Sequence, residues 1–305
     1  MKKLFYVFSG QGAQAVGMGK SLYDNSPEAK KIFDLADATL GFELSKICFE
    51  GPVEKLTGTD ICQVAIYTMS CAALAAFQKK FPQCKPVACA GLSLGEYAAL
   101  HAGGAFSFAD GLKILQQRAN LMDKACSETD GTMATILGGD LAMIEEVAQV
   151  CDIDVANYNS PGQIVVSGER AKVEKAVEEL KARGMKKVIL LNVAGAFHSR
   201  LMASAGEGMK QVLADAAIAM PVVPVFQNFT AEPPASVEEL KNNLIHQVAG
   251  SVRWESCVRN MIAAGGDYMV EFGPGNVLTG LLRRTDSTVG YYNVNSFESL
   301  DGFEL

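Results

Sequence analysis

Gly91-Leu92-Ser93-Leu94-Gly95 is a G-x-S-x-G sequence between a short apolar run, Val87 to Ala90, and a helix-favouring stretch, Glu96 to His101. A sharp strand-to-helix turn of this kind exposes a serine hydroxyl, and its glycines let neighbouring main chain pass close by. The helix N-terminus behind the serine offers unpaired N–H groups where negative charge would develop on an attacked carbonyl. The chemistry indicated is nucleophilic acyl transfer through Ser93; the alternative is an ordinary glycine-flanked turn. An attacking serine needs a base. Three histidines are present, His101, His198 and His246. His101 follows the serine on the same helical stretch and reads as structural, while His246 sits in the polar run Asn242 to Gln247 and reads as a surface residue. His198 follows an apolar run and Gly195, at a strand end where active-site loops gather, so it leads as the base.

Two further positions could serve the same reaction. Gln11 occupies the loop after the first apolar run, and its backbone N–H could join that of Leu94 as a pair of donors to an oxyanion. The plain alternative is a turn whose glycines supply positive φ. Arg118 lies on a helix whose apolar stripe runs Phe108, Leu112, Leu115, Ala119 and Met122. At about 100° per residue it falls roughly 60° from the stripe's centre, at the border of core and solvent. A guanidinium held there could grip a carboxylate in bidentate fashion and so select a substrate with a free acid. A surface arginine lying along its own apolar stem is the other reading.

Other chemistries find no footing. Neither G-x-x-x-x-G-K-[ST] nor G-x-G-x-x-G is present, and nothing resembles H-E-x-x-H, so neither a metal nor a nucleotide cofactor is expected. Eight cysteines are scattered without a C-x-x-C pair, which leaves a zinc ribbon or redox motif unsupported. A formal net charge of −7 argues against nucleic-acid or anionic-membrane partners, since both need a basic footprint. The run Leu4 to Phe8 is too short for a signal-peptide core. The uncharged stretch Ile61 to Phe77 falls just short of a spanning helix and reads as buried. A cytoplasmic monomer is the default expectation.

The scaffold that must position these residues alternates strands with helices, which implies a parallel sheet covered on both faces. Leu4–Phe8 and Val87–Ala90 read as strands, with a buried helix at Ile61–Phe77 between them. Thr132–Leu137, Leu141–Val150, Ile153–Tyr158, Gln163–Ser167, Lys172–Arg183 and Lys187–Val193 then follow as β-α-β-β-α-β, with Asn159-Ser160-Pro161-Gly162 as the central turn. That order is a ferredoxin-like unit. It divides the chain into a discontinuous α/β catalytic domain, residues 1–130 plus 196–305, and an inserted ferredoxin-like subdomain, residues 131–195. Further strands are expected at Val222–Phe226 and Tyr268–Phe272, with a helix from about Leu201.

Six separated motifs together resemble the malonyl-CoA:acyl carrier protein transacylase family over essentially the whole chain. Phe8-Ser9-Gly10-Gln11-Gly12-Ala13-Gln14 is similar to its opening, and Gly91 to Tyr97 to its nucleophile turn. Arg118 with Met122, Asn159 to Gln163, Gly195 to Ser199 and Glu271 to Gly275 match the other four in order. The resemblance implies a hydrolase-like α/β fold with a ferredoxin-like insert. It implies that Ser93 carries the acyl group, His198 takes its proton, and backbone N–H groups of Gln11 and Leu94 hold the oxyanion. Arg118 would grip the malonyl carboxylate, with Met122, Asn159 and Phe197 beside the substrate. Phe197 is similar to malonyl-selective members. The family orients its histidine through a backbone carbonyl, and Gln247 matches that position.

The implied reaction is ping-pong transfer from malonyl-CoA to the phosphopantetheine thiol of acyl carrier protein in fatty-acid synthesis. Coenzyme A thioester is then substrate, with no cofactor. The rivals are a serine esterase or thioesterase, a silent carrier-binding module, and a discrete acyltransferase of polyketide synthesis. Carrier proteins are usually acidic, so Lys186, Lys187, Arg283 and Arg284 are candidates for a docking surface. Three positions depart from the family pattern: Leu92 replaces a usual histidine, and Val64 and Ser251 each replace a proline.

Overall fold

The computed structural model describes residues 2–304. Strand β1, Leu4–Phe8, is buried along its whole length, as a strand covered on both faces requires. It pairs in parallel with β2, Pro86–Gly91, on one side. The named strands that follow are β3, Gly131–Leu137; β4, Asp154–Ser160; β5, Gln163–Glu169; β6, Lys187–Leu190; β7, Val225–Phe226; β8, Tyr268–Phe272; and β9, Gly290–Val294. One sheet runs β7-β2-β1-β8-β9 with every pair parallel. Phe8 aligns with both Gly91 and Phe272, so three neighbouring strands end at one level. Their following loops, Ser9–Gly12, Leu92–Ser93 and Gly273–Gly275, therefore emerge together at the carboxyl edge, where open α/β sheets carry their sites.

The second sheet, β4-β5-β3-β6, is antiparallel and is drawn wholly from Gly131–Leu190. With helices Leu141–Val150 and Arg170–Ala182 it has the ferredoxin-like order, and these helices bury Ile144, Val147, Val173 and Val177 into a separate apolar cluster. The two sheets are stitched at β4. Val252 N–H donates to Ala156 O at 2.8 Å, and Tyr158 N–H donates to Val252 O at 2.9 Å. Ser251 Oγ adds a bond to Val155 O at 2.6 Å, so the hydroxyl that stands in place of a proline ties the join.

Several expected boundaries shift. Asn159 and Ser160 belong to β4, and only Pro161-Gly162 forms the hairpin turn, with Gly162 at φ +70°. The last strand of the antiparallel sheet stops at Leu190 rather than Val193, and the chain from Leu191 to Ala194 runs irregularly along a cleft. Val222–Phe226 contracts to Val225–Phe226: Pro224 has no N–H to give, and Val222 is exposed. β9 was not expected, because Gly290-Tyr291-Tyr292-Asn293-Val294 lacks an apolar run and sits at a sheet edge.

The uncharged stretch lies within a helix, Thr59–Lys80, that carries Asp60, Lys79 and Lys80 at its ends and is buried on every side between them, as a core helix must be. Among the described residues it is the one helix long and apolar enough to cross a membrane, and 83% of its apolar window is buried inside the fold. Its Phe77 packs on Phe272 with ring centroids 5.3 Å apart, and Phe272 also meets Tyr6 at 4.9 Å and Phe8 at 5.5 Å. Truncating Phe272 to alanine removes the centre of this cluster. It is expected to cost about 3–5 kcal/mol of unfolding free energy, read as a lower urea midpoint; a loss under about 1 kcal/mol would contradict the packing described.

Candidate active site

Backbone sterics make the turn at the end of β2. A Cβ on Gly91 would lie 2.0 Å from the Gly95 carbonyl carbon, and one on Gly95 would lie 2.3 Å from Phe8 O. Both positions therefore exclude any side chain. Between them Ser93 is held at φ +54°, a left-handed conformation that a serine seldom adopts. Asn228 pins it there: Ser93 N–H donates to Asn228 Oδ1 at 2.6 Å, and Asn228 Nδ2 donates to Gly91 O at 2.8 Å. Leu92, half-buried, faces Gly10 and packs toward the cluster around Trp254, the place where the family usually has histidine.

His198 is buried, and it too has positive φ, at 57°. Its Nε2 lies 2.8 Å from Ser93 Oγ, and its Nδ1 lies 2.8 Å from Gln247 O. A carbonyl can only accept, so Nδ1 carries the proton and Nε2 accepts from the serine. The third member of this row is a main-chain carbonyl and not a carboxylate. Burial, reinforced by the nearby Arg118 charge, pushes the His198 pKa down to about 4; the carbonyls of Gln247 and Gly250 oppose that shift. The imidazole is thus neutral at physiological pH and free to take a proton. His101, by contrast, turns its Nδ1 to Phe106 O at 3.2 Å, and His246 is exposed and stacked on Phe229.

Arg118 departs from expectation. Helical-wheel arithmetic put it at the border of core and solvent; it is 1% exposed, beneath the serine. Its helix, Phe108–Glu128, begins at Ser107, whose Oγ accepts from Asp110 N–H as an N-cap. The guanidinium donates to Ser93 Oγ at 3.1 Å, to Gln247 Oε1 at 3.0 Å and to Gln63 Oε1. No carboxylate touches it, and its buried Nε has no partner among the described residues. Burial draws its pKa down while the Tyr97 and Glu96 side chains oppose the shift, and a guanidinium stays ionised throughout. A permanent cation with a spare donor, set beside a serine hydroxyl, can receive an anion.

A cleft of about 750 Å³ opens over these groups, lined by Gln11, Ser93, Arg118, Met122, Asn159, Phe197 and His198. Gln163 and Leu191–Ala194 complete the wall opposite the serine. The Oδ1 of Asn159 is buried there without a partner among the described residues, and Met122 accepts from Gln63 Nε2 through sulfur at 3.6 Å. Gln11 N–H and Leu94 N–H, on the two loops flanking the serine, donate to no intramolecular acceptor among the described residues. A more open groove of about 740 Å³ between helices Ala203–Asp215 and Val237–Ala249 touches none of these residues. Sequence reasoning missed Gln63 and Asn228 as site residues and the side chain of Gln247. Glu96, read only as a helix former, is fully buried behind the turn. Of the basic candidates, Arg284 donates to Gln163 Oε1 at 3.0 Å beside the cleft, while Lys186 and Lys187 are exposed near the start of β6.

A model of the acyl transferase domain matches residues 5–296. The chain belongs to that acyl transferase family. This acyl transferase is 40% identical, over 306 residues, to a malonyl CoA-acyl carrier protein transacylase of Bacillus subtilis (strain 168), covering 99% of this chain and 96% of that one. A crystal structure of acyl-carrier-protein S-malonyltransferase from Burkholderia pseudomallei 1710b superposes with TM-score 0.95 at 34% identity, covering 98% of each chain. A malonyl-transacylase in complex with its holo type II polyketide synthase acyl-carrier protein gives TM-score 0.94 at 34% identity, again covering 98% of each.

The acyl transferase site makes a direct prediction. NMR titration of His198 should give a midpoint near 4, and Arg118→Ala should move it upward, because a repelling positive charge is removed. A midpoint at the ordinary imidazole value in both proteins would contradict the burial and the proximity described.

Proposed function

We propose that this acyl transferase moves a malonyl group from malonyl-CoA to the phosphopantetheine thiol of acyl carrier protein, through an ester on Ser93. The observation that carries the reading is the Arg118 guanidinium, buried and 3.1 Å from Ser93 Oγ with no carboxylate of its own. The malonyl carboxylate supplies the missing anion, and its attachment to that cation places the thioester carbonyl over the serine. Met122, Asn159 and Phe197 then bound the acyl group within the cleft.

In the first half-reaction Ser93 Oγ attacks the thioester carbon while His198 Nε2 takes the hydroxyl proton. The oxyanion is received by the free N–H groups of Gln11 and Leu94. Collapse breaks the C–S bond, and the coenzyme A sulfur leaves with the proton from His198. In the second, the carrier thiol gives its proton to His198 and attacks the ester. Collapse breaks the C–Oγ bond, and Ser93 regains its proton. Every proton moves through one imidazole, which Gln247 O keeps in the required tautomer. Coenzyme A thioester is substrate, and these steps call on no further group.

An acyl carrier protein is the acceptor in the name of the Bacillus subtilis relative, and we take the carrier of fatty-acid synthesis as the first reading; the carrier in the polyketide complex makes a polyketide acceptor the second. We also read residues 1–130 with 196–305 as one discontinuous domain and 131–195 as an insert. Support comes from the apolar cluster around Ile136, Val147 and Val177, which is separate from the clusters about the large sheet. A reduced cytoplasmic setting, with the chain acting as a monomer, fits eight buried and unpaired cysteines and a site built from one chain.

Intact-mass measurement after mixing with malonyl-CoA should give one malonyl adduct that Ser93→Ala abolishes and that a carrier thiol removes faster than water does. An adduct lost to water at the same rate with or without thiol would favour a hydrolase. Arg118→Ala should lower kcat/KM for malonyl-CoA about 100-fold, the worth of a charge-assisted hydrogen-bonded pair. Its effect on acetyl-CoA should be within a few-fold. An equal fall for both substrates would remove Arg118 from the carboxylate.

A further inference from the structure

Glu96 touches neither the nucleophile's oxygen nor the cleft, yet three elements of the site hang from it. It lies in the first turn of the helix Gly95–Ala102, where the helix dipole favours a carboxylate, and it is wholly buried. Its Oε1 accepts from Gln227 Nε2 at 3.0 Å, and its Oε2 accepts from Asn228 N at 2.7 Å and Gln247 Nε2 at 2.9 Å. All three donors are neutral, so this is not an ion pair. Burial raises its pKa against the pull of these bonds and of the Arg118 charge.

The consequence lies in Gln247. Its amide is a two-ended group whose nitrogen and oxygen can exchange places by rotation. Nε2 faces three acceptors, the Glu96 carboxylate at 2.9 Å, Ser93 O at 3.0 Å and, more distantly, Asn228 Oδ1 at 3.4 Å. The amide oxygen is therefore forced to the other side, where it accepts from Arg118 at 3.0 Å. With Glu96 replaced by an apolar residue, Ser93 O and the more distant Asn228 Oδ1 hold the nitrogen where three acceptors did. The turned amide then presents N–H groups to a guanidinium that can only donate.

We propose that Glu96 is a positioning residue for substrate selection: an acceptor-only carboxylate that fixes the amide of Gln247 and, through it, the guanidinium that grips a substrate carboxylate. The inference rests on the reading of Arg118 given above. It separates two jobs of one residue, since the main-chain carbonyl of Gln247 holds His198 while its side chain, set by Glu96, holds Arg118. Because Glu96 also holds Asn228, every acyl group should sense its loss, and those with a free carboxylate should sense it more.

The test is the ratio of kcat/KM for malonyl-CoA to that for acetyl-CoA, measured on the full chain with carrier protein as acceptor. Glu96→Ala should lower this ratio about tenfold, the worth of one buried hydrogen bond. Glu96→Met, which fills the volume without an acceptor, serves where the alanine variant does not fold. Glu96→Gln is the rescuing variant. The Asn228 main-chain N–H cannot turn, so it holds the new amide oxygen where Gln247 also needs an acceptor, and the ratio should stay within about threefold of wild type while rates fall. Gln247→Met keeps the carbonyl to His198 and removes the side-chain link; in that background Glu96→Ala should change the ratio less than about twofold. Equal losses for malonyl and acetyl transfer, or ratio losses that multiply in the double variant, would overturn the proposal. If Arg118→Ala leaves the ratio unaltered, the reading of Arg118 fails and takes this one with it. An Arg118 effect without a Glu96 effect overturns this inference alone.

Discussion

A positive charge buried beside a serine, with no negative charge in contact, is the constraint around which the site is arranged. Taking a guanidinium out of water is costly unless its donors are met. Here the meeting is done by dipoles, the side-chain oxygens of Gln63 and Gln247 and the hydroxyl of Ser93. The Glu96 carboxyl reaches Arg118 only through the intervening amide of Gln247. The Nε donor stays unmatched. On the reading proposed above, such a site suits an acyl group that brings its own anion. The same charge also reaches His198, where it adds to burial in keeping the imidazole neutral. One buried cation thus lies within reach of both the serine and the histidine.

Holding that arrangement requires the main chain to come unusually close to itself. Three parallel strands end level at Phe8, Gly91 and Phe272, and the serine turn doubles back across the first of them. There is room for this only because positions 91 and 95 carry no Cβ. Ser93 and His198 are two of only four non-glycine residues with positive φ among those described. Strained backbone of this kind persists where surrounding bonds over-determine it. Asn228 supplies them for Ser93, and the Nδ1 bond to Gln247 supplies one for the histidine ring.

How much of this could be read from the residues alone differs by position. The nucleophile turn was legible because its requirement is steric and local: two glycines four apart after an apolar run have few other uses. The ferredoxin-like order was legible for a related reason, since apolar periodicity switches from two to helical spacing within a short stretch. Arg118 was legible as a residue but not as a buried one. A helical wheel knows only its own helix, whereas the helix Thr59–Lys80 closes over the supposed solvent side and brings Gln63 against the guanidinium. Asn228 and the Gln247 side chain carried no local signal at all. They reach the serine across 135 and 154 positions of chain, and neither residue type announces its partner. β9 escaped because an edge strand can be polar and aromatic without breaking a pattern.

The division of labour within Gln247 bears on how one fold can change its substrate without losing its chemistry. The base is held by main chain, which any residue at position 247 would supply, so proton transfer is insulated from side-chain substitution there. The carboxylate receptor is held by side chains alone: Gln63, Gln247 and, behind it, Glu96. On the proposed reading, substitutions in that second set change which acyl groups are stabilised, while the bonds from Ser93 to His198 and from His198 to the Gln247 carbonyl do not involve those side chains. The cleft wall from Gln163 and Leu191 to Ala194, on and just after the antiparallel sheet, is free of both sets. Reactivity, acyl choice and the outer wall of the cleft are therefore carried by three different groups of atoms. They meet at Ser93, whose main-chain carbonyl is bonded by the Gln247 side chain and whose hydroxyl is bonded by Arg118.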